Sequence, residues 1–205
     1  MAGMEKFDQL KNHYKQLVPS MSEESWNITS SVLTVRTLKK GEYLVREGEV
    51  CNHVSFINHG LVRMFHAVEG KEKIIMFAHE NEYTAEYQSF LTRRPANAYL
   101  LAMEDTELVE TCYDDLQMLY QCVPEANLLG RMIAENLFLM MCDLSNHEAK
   151  STIAGRYERL ITEIPWLTQR VPQYMIASYL GITPEAFSRI KSKAAKKRST
   201  IPVNY

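Results

Sequence analysis

The 205-residue chain lacks the features that mark membrane, secreted and disulfide-rich proteins. Its longest apolar run, Leu137 to Cys142, is far shorter than the roughly 18 residues that a bilayer-spanning helix needs. The N-terminus contains no apolar stretch typical of a secretory signal. The chain has only four cysteines, which form no CxxC pair and so favour a reducing compartment over disulfides or a zinc ribbon (Cys51, Cys112, Cys122 and Cys142). We therefore expect a cytoplasmic protein without a membrane partner.

Recognisable catalytic motifs are also absent. The sequence has no P-loop, GxGxxG or HExxH motif and no evident Ser-His-Asp spacing, so we expect no enzymatic activity and no catalytic residues. Four histidines fall on different predicted strands without a common spacing: His53, His59, His66 and His79. Because metal sites need ligands that converge, we predict no metal site and no cofactor.

Charge is distributed unevenly along the chain. The whole sequence has 23 basic and 25 acidic residues, a net charge of −2. From Lys150 to Tyr205 there are ten basic and three acidic residues, which gives this part +7 and leaves −9 for the rest. A basic segment attached to an acidic body predicts that the C-terminal part binds nucleic acid or another anionic surface.

Hydrophobic patterning predicts a roll between helical ends. An apolar repeat of three and four residues predicts a helix that ends before Pro19. From Ser31 to Cys112, short runs rich in Val, Ile, Phe and Tyr alternate with breaks, and Glu69-Gly70 is typical of a hairpin. Short strands of this kind predict an antiparallel sandwich or roll.

A long helix is predicted from Pro124 to about Asn146. Apolar residues recur along it at helical spacing and occupy more than one face. Such a helix can cover a sheet with one side and pair with a second copy of itself through the other. A core helix of a monomer is the alternative that the pattern leaves open.

The most specific segment, Gln173 to Ser192, predicts a helix-turn-helix. Ala177 is small where two helices must cross closely, and Gly181 accepts the positive φ of the turn. Thr183 before Pro184 provides an N-cap for the second helix. Apolar residues join the two helices: Ile176, Leu180, Ile182, Phe187 and Ile190. A structural αα-hairpin meets some of these requirements, but the basic surroundings favour DNA binding.

The second helix carries groups suited to reading bases. Glu185 and Arg189 are four residues apart and therefore project from one face. Arg can donate two hydrogen bonds to guanine, and Glu can accept one from cytosine N4. From Arg189 to Arg198 there are six basic residues and no acidic one, and we expect this run, which includes Lys196 and Lys197, to bind phosphates.

A roll, a long helix and a C-terminal helix-turn-helix, in this order, resemble the cyclic-AMP receptor protein (CRP/FNR) family of bacterial transcription regulators. Local matches are the strand-turn signature from Gly41 to Glu49, the turn at Gly60 and the hairpin at Glu69-Gly70. The resemblance implies an α+β fold. Residues 1–123 would form a cyclic-nucleotide-binding-like β-roll, 124–149 a dimerisation helix and 150–205 a winged helix-turn-helix.

The resemblance also implies partners and contacts. The expected partners are double-stranded DNA, a second copy of the chain and RNA polymerase. Pro184 stands where the family often has an Arg, which implies a different operator preference. The residues predicted to contact DNA are Gln173, Tyr174, Thr183, Pro184, Glu185, Ser188, Arg189, Lys191 and Lys193.

The nucleotide pocket departs from the family pattern. Cyclic-nucleotide-binding members cradle the phosphate with a Gly-Glu pair and, ten residues after the Glu, an Arg followed by Ser and Ala. Here Ala85-Glu86 and then Ala96-Asn97-Ala98 occupy those positions, so the Arg and the Ser are missing. The corresponding pocket would be lined by Ala85, Glu86, Arg94, Ala96, Asn97, Met141 and Cys142. Cyclic AMP is therefore not the expected effector, and the pattern leaves room for an unidentified small molecule.

The sequence thus predicts a homodimeric regulator that binds a pseudo-palindromic operator without control by cyclic AMP. The alternative is a ligand-binding signalling module that acts through protein contacts and keeps a degenerate helix-turn-helix. Retention on heparin and release by moderate salt would favour the regulator.

Overall fold

The computed structural model describes residues 5–150 and 152–199, without the side chains at 5, 140, 143–150 and 195–199. The chain forms two compact units. The first comprises Met1–Glu69 and Ile75–Leu137, and the second comprises Gly70–Ile74 and Phe138–Tyr205.

Strands in the described residues form two four-stranded sheets. They are β1 (Thr34–Leu38), β2 (Tyr43–Val45), β3 (His53–His59), β4 (Val62–Val68), β5 (Lys71–Ala78), β6 (Tyr83–Thr84), β7 (Tyr99–Ala102) and β8 (Thr106–Cys112). The order is β1-β8-β3-β6 in one sheet and β2-β7-β4-β5 in the other. The pairs β1–β8, β3–β8, β3–β6, β2–β7 and β4–β7 are antiparallel, which confirms the predicted antiparallel architecture.

Helices flank the strands in the sequence. They are α1 (Asp8–Leu17), α2 (Glu23–Ser30), α3 (Tyr87–Thr92), α4 (Tyr113–Cys122), α5 (Pro124–Lys150), α6 (Ile153–Glu163), α7 (Leu167–Arg170), α8 (Gln173–Tyr179) and α9 (Pro184–Ser199). The predicted long helix is therefore confirmed, and it extends beyond Asn146. None of the described helices combines the length and the apolar character that a membrane crossing requires.

The first sheet is buried on both faces. Because strand residues alternate between faces, Ile57 and Leu108 join the core of the roll, where each has 0% exposure. Their neighbours Phe56 and Val109 belong to a second cluster with residues of α1, α2 and α5. The helices thus cover the outer face of this sheet.

The turn between β4 and β5 has the conformation that its sequence predicts. Glu69 and Gly70 have φ values of +51° and +73°. Two consecutive positive φ angles are typical of the type I′ turn, whose twist matches that of the flanking strands. The hairpin predicted at Glu69-Gly70 is confirmed.

The C-terminal part of the chain consists of helices joined by short turns in residues 152–199. Residues 152–199 contain α6 to α9 and no strand, and Leu167–Arg170 forms one helical turn. The described residues therefore do not show the wing that the family resemblance implies, and the wing stays a prediction.

Among all the residues that the structure describes, no group of three or more His, Cys, Asp or Glu residues is arranged to hold a metal ion.

Candidate nucleic-acid interface

Helices α8 and α9 meet at a tight turn built from small residues. Ala177 has 0% exposure, and the Ile182 amide donates a hydrogen bond of 3.0 Å to the Ala177 carbonyl. Gly181 has a φ of +70°, a conformation that L side chains rarely adopt. The two residues predicted from the sequence to permit the crossing and the turn therefore have the expected environments.

The hydroxyl of Thr183 caps α9. Its Oγ1 accepts a hydrogen bond of 3.3 Å from the Ala186 amide, while Pro184 occupies the first helical position, where no amide hydrogen is needed. Capping satisfies one of the donors that every helix leaves free at its N-terminus. The start of α9 is thus fixed by local sequence.

A buried apolar layer supports α9 from behind. Phe187 is 2% exposed, and its ring lies edge-on to the Tyr157 ring of α6 with centroids 5.3 Å apart. Ile176 and Leu180 of α8 are also buried. The sequence had indicated the contribution of Phe187, Ile176 and Leu180, but it gave no sign of the Tyr157 contact.

The opposite face of α9 is open to solvent. All nine residues predicted to contact DNA are exposed: Gln173, Tyr174, Thr183, Pro184, Glu185, Ser188, Arg189, Lys191 and Lys193. Tyr174 shows that this exposure includes a large aromatic ring, since its exposed fraction is 56%. Residues of α9 therefore divide into a buried supporting face and an exposed polar face. The side chains of Lys196, Lys197 and Arg198 lie outside the described residues.

Local hydrogen bonds lower the pKa of the Glu185 carboxyl. Its own backbone amide and the Thr183 hydroxyl donate hydrogen bonds to the carboxylate, and with the charge of Arg189 they lower its pKa. An ionised carboxylate only accepts hydrogen bonds. Glu185 is therefore suited to accept from an amino group such as cytosine N4.

The left-handed conformation at position 181 leads to a stability prediction. We expect Gly181→Ala to lower the free energy of unfolding by about 1 kcal/mol, because a Cβ is unfavourable at this φ even though nothing lies within 4 Å of it. Gly155→Ala, in helical α6, should instead raise stability by about 0.5–1 kcal/mol. Urea unfolding followed by circular dichroism measures both. Equal effects of the two substitutions would contradict the left-handed turn.

In the first unit, the glutamate expected in a nucleotide pocket is a helix cap. Glu86 is 6% exposed, and its Oε2 accepts a hydrogen bond of 2.6 Å from the Ser89 amide at the start of α3. The Ser89 hydroxyl donates to the Arg94 carbonyl and accepts from the Cys51 amide. Glu86 thus has a structural partner inside the protein.

Arg93, which the sequence places beside Arg94, is committed to internal contacts. Its guanidinium donates to the carbonyls of Cys51 and Phe90 at 2.9 and 3.2 Å and to Oδ1 of Asn52 at 2.5 Å. It also lies 4.6 Å from the centroid of the Tyr113 ring. These contacts fix the loop after α3.

The remaining predicted pocket residues differ in environment. Ala85 and Ala96 pack in the core of the roll, whereas Arg94 and Asn97 are exposed. The Asn97 carbonyl lies 2.8 Å from Nδ1 of His66. Met141 and Cys142 belong to the second unit, where Met141 is 58% exposed.

Comparison with known proteins identifies the class of the N-terminal region. Residues 35–121 match the family described as "Cyclic nucleotide-binding domain". This part of the chain is therefore similar to domains of that class. A sequence search of curated proteins finds no match.

Several solved structures share this fold, in agreement with the architecture that the sequence resemblance implies. A mutant of CooA from Carboxydothermus hydrogenoformans is 20% identical with a TM-score of 0.68, covering 91% of this chain and 86% of its own. The global regulator CLP from Xanthomonas campestris, described as c-di-GMP responsive, is 17% identical with a TM-score of 0.65 and coverages of 86% and 93%. FixK2 from Bradyrhizobium japonicum is 18% identical with a TM-score of 0.58 and coverages of 85% and 90%.

Proposed function

We propose that the protein is a sequence-specific DNA-binding transcription regulator of the CRP/FNR type, which binds a pseudo-palindromic operator as a homodimer. The observation that carries this proposal is the division of α9 into two faces. A buried face holds the helix rigidly through Phe187, and an exposed face presents Glu185 and Arg189. A helix supported in this way can enter the major groove without rearrangement.

Specific and nonspecific contacts have separate residues in this proposal. Arg189 donates to guanine O6 and N7, and Glu185 accepts from cytosine N4. Lys191 and Lys193, which are exposed farther along α9, bind phosphates. Gln173, Tyr174, Thr183 and Ser188 then position the helix on the DNA backbone, which is the common role of polar side chains at such interfaces.

The exposed apolar face of α5 supports a homodimer. Phe138, Leu139 and Met141 are 69%, 60% and 58% exposed. Phe138 and Met141, together with Ala134, follow the alternating spacing of four and three residues found along the seam of a paired helix. A two-fold pair of subunits then places two copies of α9 on half-sites about 34 Å apart.

The interior of the roll supports independence from cyclic AMP. A bound nucleotide needs a guanidinium for its phosphate and a carboxylate for its ribose. Glu86 caps α3 and Arg93 binds backbone carbonyls, so neither presents its charge to a ligand. We propose that any effector is another small molecule. As a regulator in the cytoplasm, the protein would act with RNA polymerase.

The salt dependence of DNA binding tests the proposed phosphate contacts. Binding to a labelled duplex, measured by fluorescence anisotropy, should weaken linearly on logarithmic axes as salt increases. Lys193→Ala should reduce the slope by about 0.9 for each subunit and weaken binding to all sequences alike.

Lys40→Ala is the matched control, because Lys40 is equally exposed but lies in the first unit. If both variants reduce the slope equally, the effect comes from net charge and the phosphate contact of Lys193 is wrong. If the protein binds no duplex even at low salt, the result favours the alternative. In that case the chain is a signalling module that acts through protein contacts.

A further inference from the structure

One serine attaches helix α8 to the start of β5. The hydroxyl of Ser178 donates a hydrogen bond of 2.8 Å to the Glu72 carbonyl and accepts one of 3.1 Å from the Ile74 amide. Residues 70–74 and the helix-turn-helix belong to the same compact unit, although 104 positions separate Ile74 from Ser178 in the sequence. Two hydrogen bonds from a single hydroxyl fix the position of this strand segment relative to α8.

Both hydrogen bonds use backbone groups on β5, a strand at the end of a sheet. β5 is the last strand in the order β2-β7-β4-β5, so one of its edges has no neighbouring strand among the described residues. Such an edge presents N–H and C=O groups that need partners. A serine hydroxyl can serve one of each, because it donates one hydrogen bond and also accepts. Ser178 therefore takes the place of a neighbouring strand at this point.

A groove of about 490 Å³ lies beside this attachment. Lys71 and Glu72 of β5 line it, together with Tyr174 of α8 and with Thr183 and Pro184 at the start of α9. The last three residues are among those predicted to contact DNA, and all three are exposed. The start of β5 thus borders the proposed DNA interface directly.

The groove carries two adjacent charges of opposite sign. Lys71 is exposed, and its ammonium group offers three hydrogen-bond donors to an anion such as a phosphate. Glu72 lines the same groove, and its carboxylate repels phosphates. A DNA backbone that contacts Tyr174 and Thr183 passes along this groove, so the two charges should affect its binding in opposite directions.

We propose that the start of β5 is a further part of the DNA interface. Lys71 binds a phosphate of the duplex, and Ser178 is a positioning residue that holds Lys71 beside the start of α9. The partner is the sugar-phosphate backbone of double-stranded DNA, because Lys71 shares its groove with residues of both helices of the helix-turn-helix. This inference rests on the proposed function and adds to it a contact from a distant part of the sequence.

Binding of the full-length protein to a labelled duplex of random sequence tests the contact of Lys71. Lys71→Ala should weaken binding by up to about fivefold for each subunit, the range of an exposed ion pair. It should also reduce the salt slope by about 0.9 for each subunit. Glu72→Gln should strengthen binding, because it removes a repulsive charge. Lys40→Ala, exposed in the first unit, is the matched control and should leave affinity and slope unchanged.

Ser178→Ala removes both hydrogen bonds and tests the positioning role. Without DNA, the Ile74 amide should exchange its hydrogen with solvent about three- to tenfold faster, the usual value of one hydrogen bond, as NMR measures. Ser178→Thr keeps the hydroxyl and should keep the slow exchange. In the Ser178→Ala protein, Lys71→Ala should reduce the salt slope by at most about half as much as it does alone, because the ammonium group is no longer held in place.

Ser30→Ala is the matched control for the loss of a hydroxyl. Ser30 is half-buried like Ser178, but its hydroxyl donates to the Asn27 carbonyl within α2. It should change neither the exchange of the Ile74 amide nor the effect of Lys71→Ala on the salt slope.

Equal affinity and slope for the Lys71→Ala variant and the unaltered protein would overturn this inference while the proposed function stands. Tighter binding by Lys71→Ala or Ser178→Ala would also overturn it, because the start of β5 would then obstruct the duplex. Unchanged exchange of the Ile74 amide in Ser178→Ala would show that Ser178 positions nothing. If the unaltered protein binds no duplex, the proposed function fails and this inference fails with it.

Discussion

Replacing Phe138 by Asp is expected to convert the protein to monomers and to weaken its binding to a two-half-site operator by at least about a hundredfold. The loss is large because the proposed dimer binds DNA through two linked copies of α9, and linkage commonly contributes a factor of about 10² to 10⁴. Sedimentation equilibrium measures the mass, and fluorescence anisotropy measures the affinity for DNA.

The physical reason is the position of Phe138 on α5. Its side chain is 69% exposed in the single chain, so an Asp there disturbs little packing within the subunit. In the proposed pair of helices the same position would be buried, and an unpaired carboxylate is strongly unfavourable in such a seam. The substitution therefore changes the association of subunits without changing the fold of each subunit. Circular dichroism checks that the variant is folded.

Asn136→Asp is the matched control for this substitution. Asn136 is exposed and lies two residues away, on nearly the opposite side of the helix. The Asn136→Asp substitution introduces the same charge outside the proposed seam. It should leave both the mass of the particle in solution and its affinity for DNA unchanged. A Phe138→Asp protein that stays dimeric would place the dimer interface elsewhere.

Arg189→Ala is expected to weaken binding to each half-site of the preferred operator by about 5- to 150-fold, with little effect on random DNA. This range corresponds to the roughly 1–3 kcal/mol that one bidentate contact with a guanine contributes to discrimination. One base position in each half-site should lose its preference. Competition binding with operators changed at single positions measures this loss.

Arg46→Ala controls for the loss of a positive charge. Arg46 is exposed in the first unit and lies over the ring of Tyr43, far in sequence from α9. We expect the Arg46→Ala variant to keep the base preferences of the unaltered protein. If Arg189→Ala also leaves them intact, Arg189 does not read a base.

Local sequence was sufficient to predict the parts of the fold whose causes are local. The hairpin depends on Glu69 and Gly70 alone, since both must accept a positive φ. The start of α9 depends on Thr183 and Pro184, which supply a cap and a fixed φ. Element ends were less accurate, because α9 continues to Ser199, beyond the segment Gln173 to Ser192 in which the sequence predicts the helix-turn-helix.

The internal contacts of Glu86 and Arg93 in the first unit could not be predicted in this way. Glu86 caps a six-residue helix that has no marked periodicity in the sequence. Arg93 binds the carbonyl of Cys51, 42 positions away, and only the folded roll brings them together. Single-sequence patterns carry no information on such distant pairs.

Selection of binding sites from a pool of random duplexes tests the central claim most directly. We predict enrichment of a two-fold symmetric sequence whose half-sites are centred about 34 Å, one helical turn, apart. Each half-site should contain a G·C pair whose preference disappears with Arg189→Ala. A pool that stays random after repeated selection, or an enriched site without symmetry, would contradict a homodimer that reads DNA through α9.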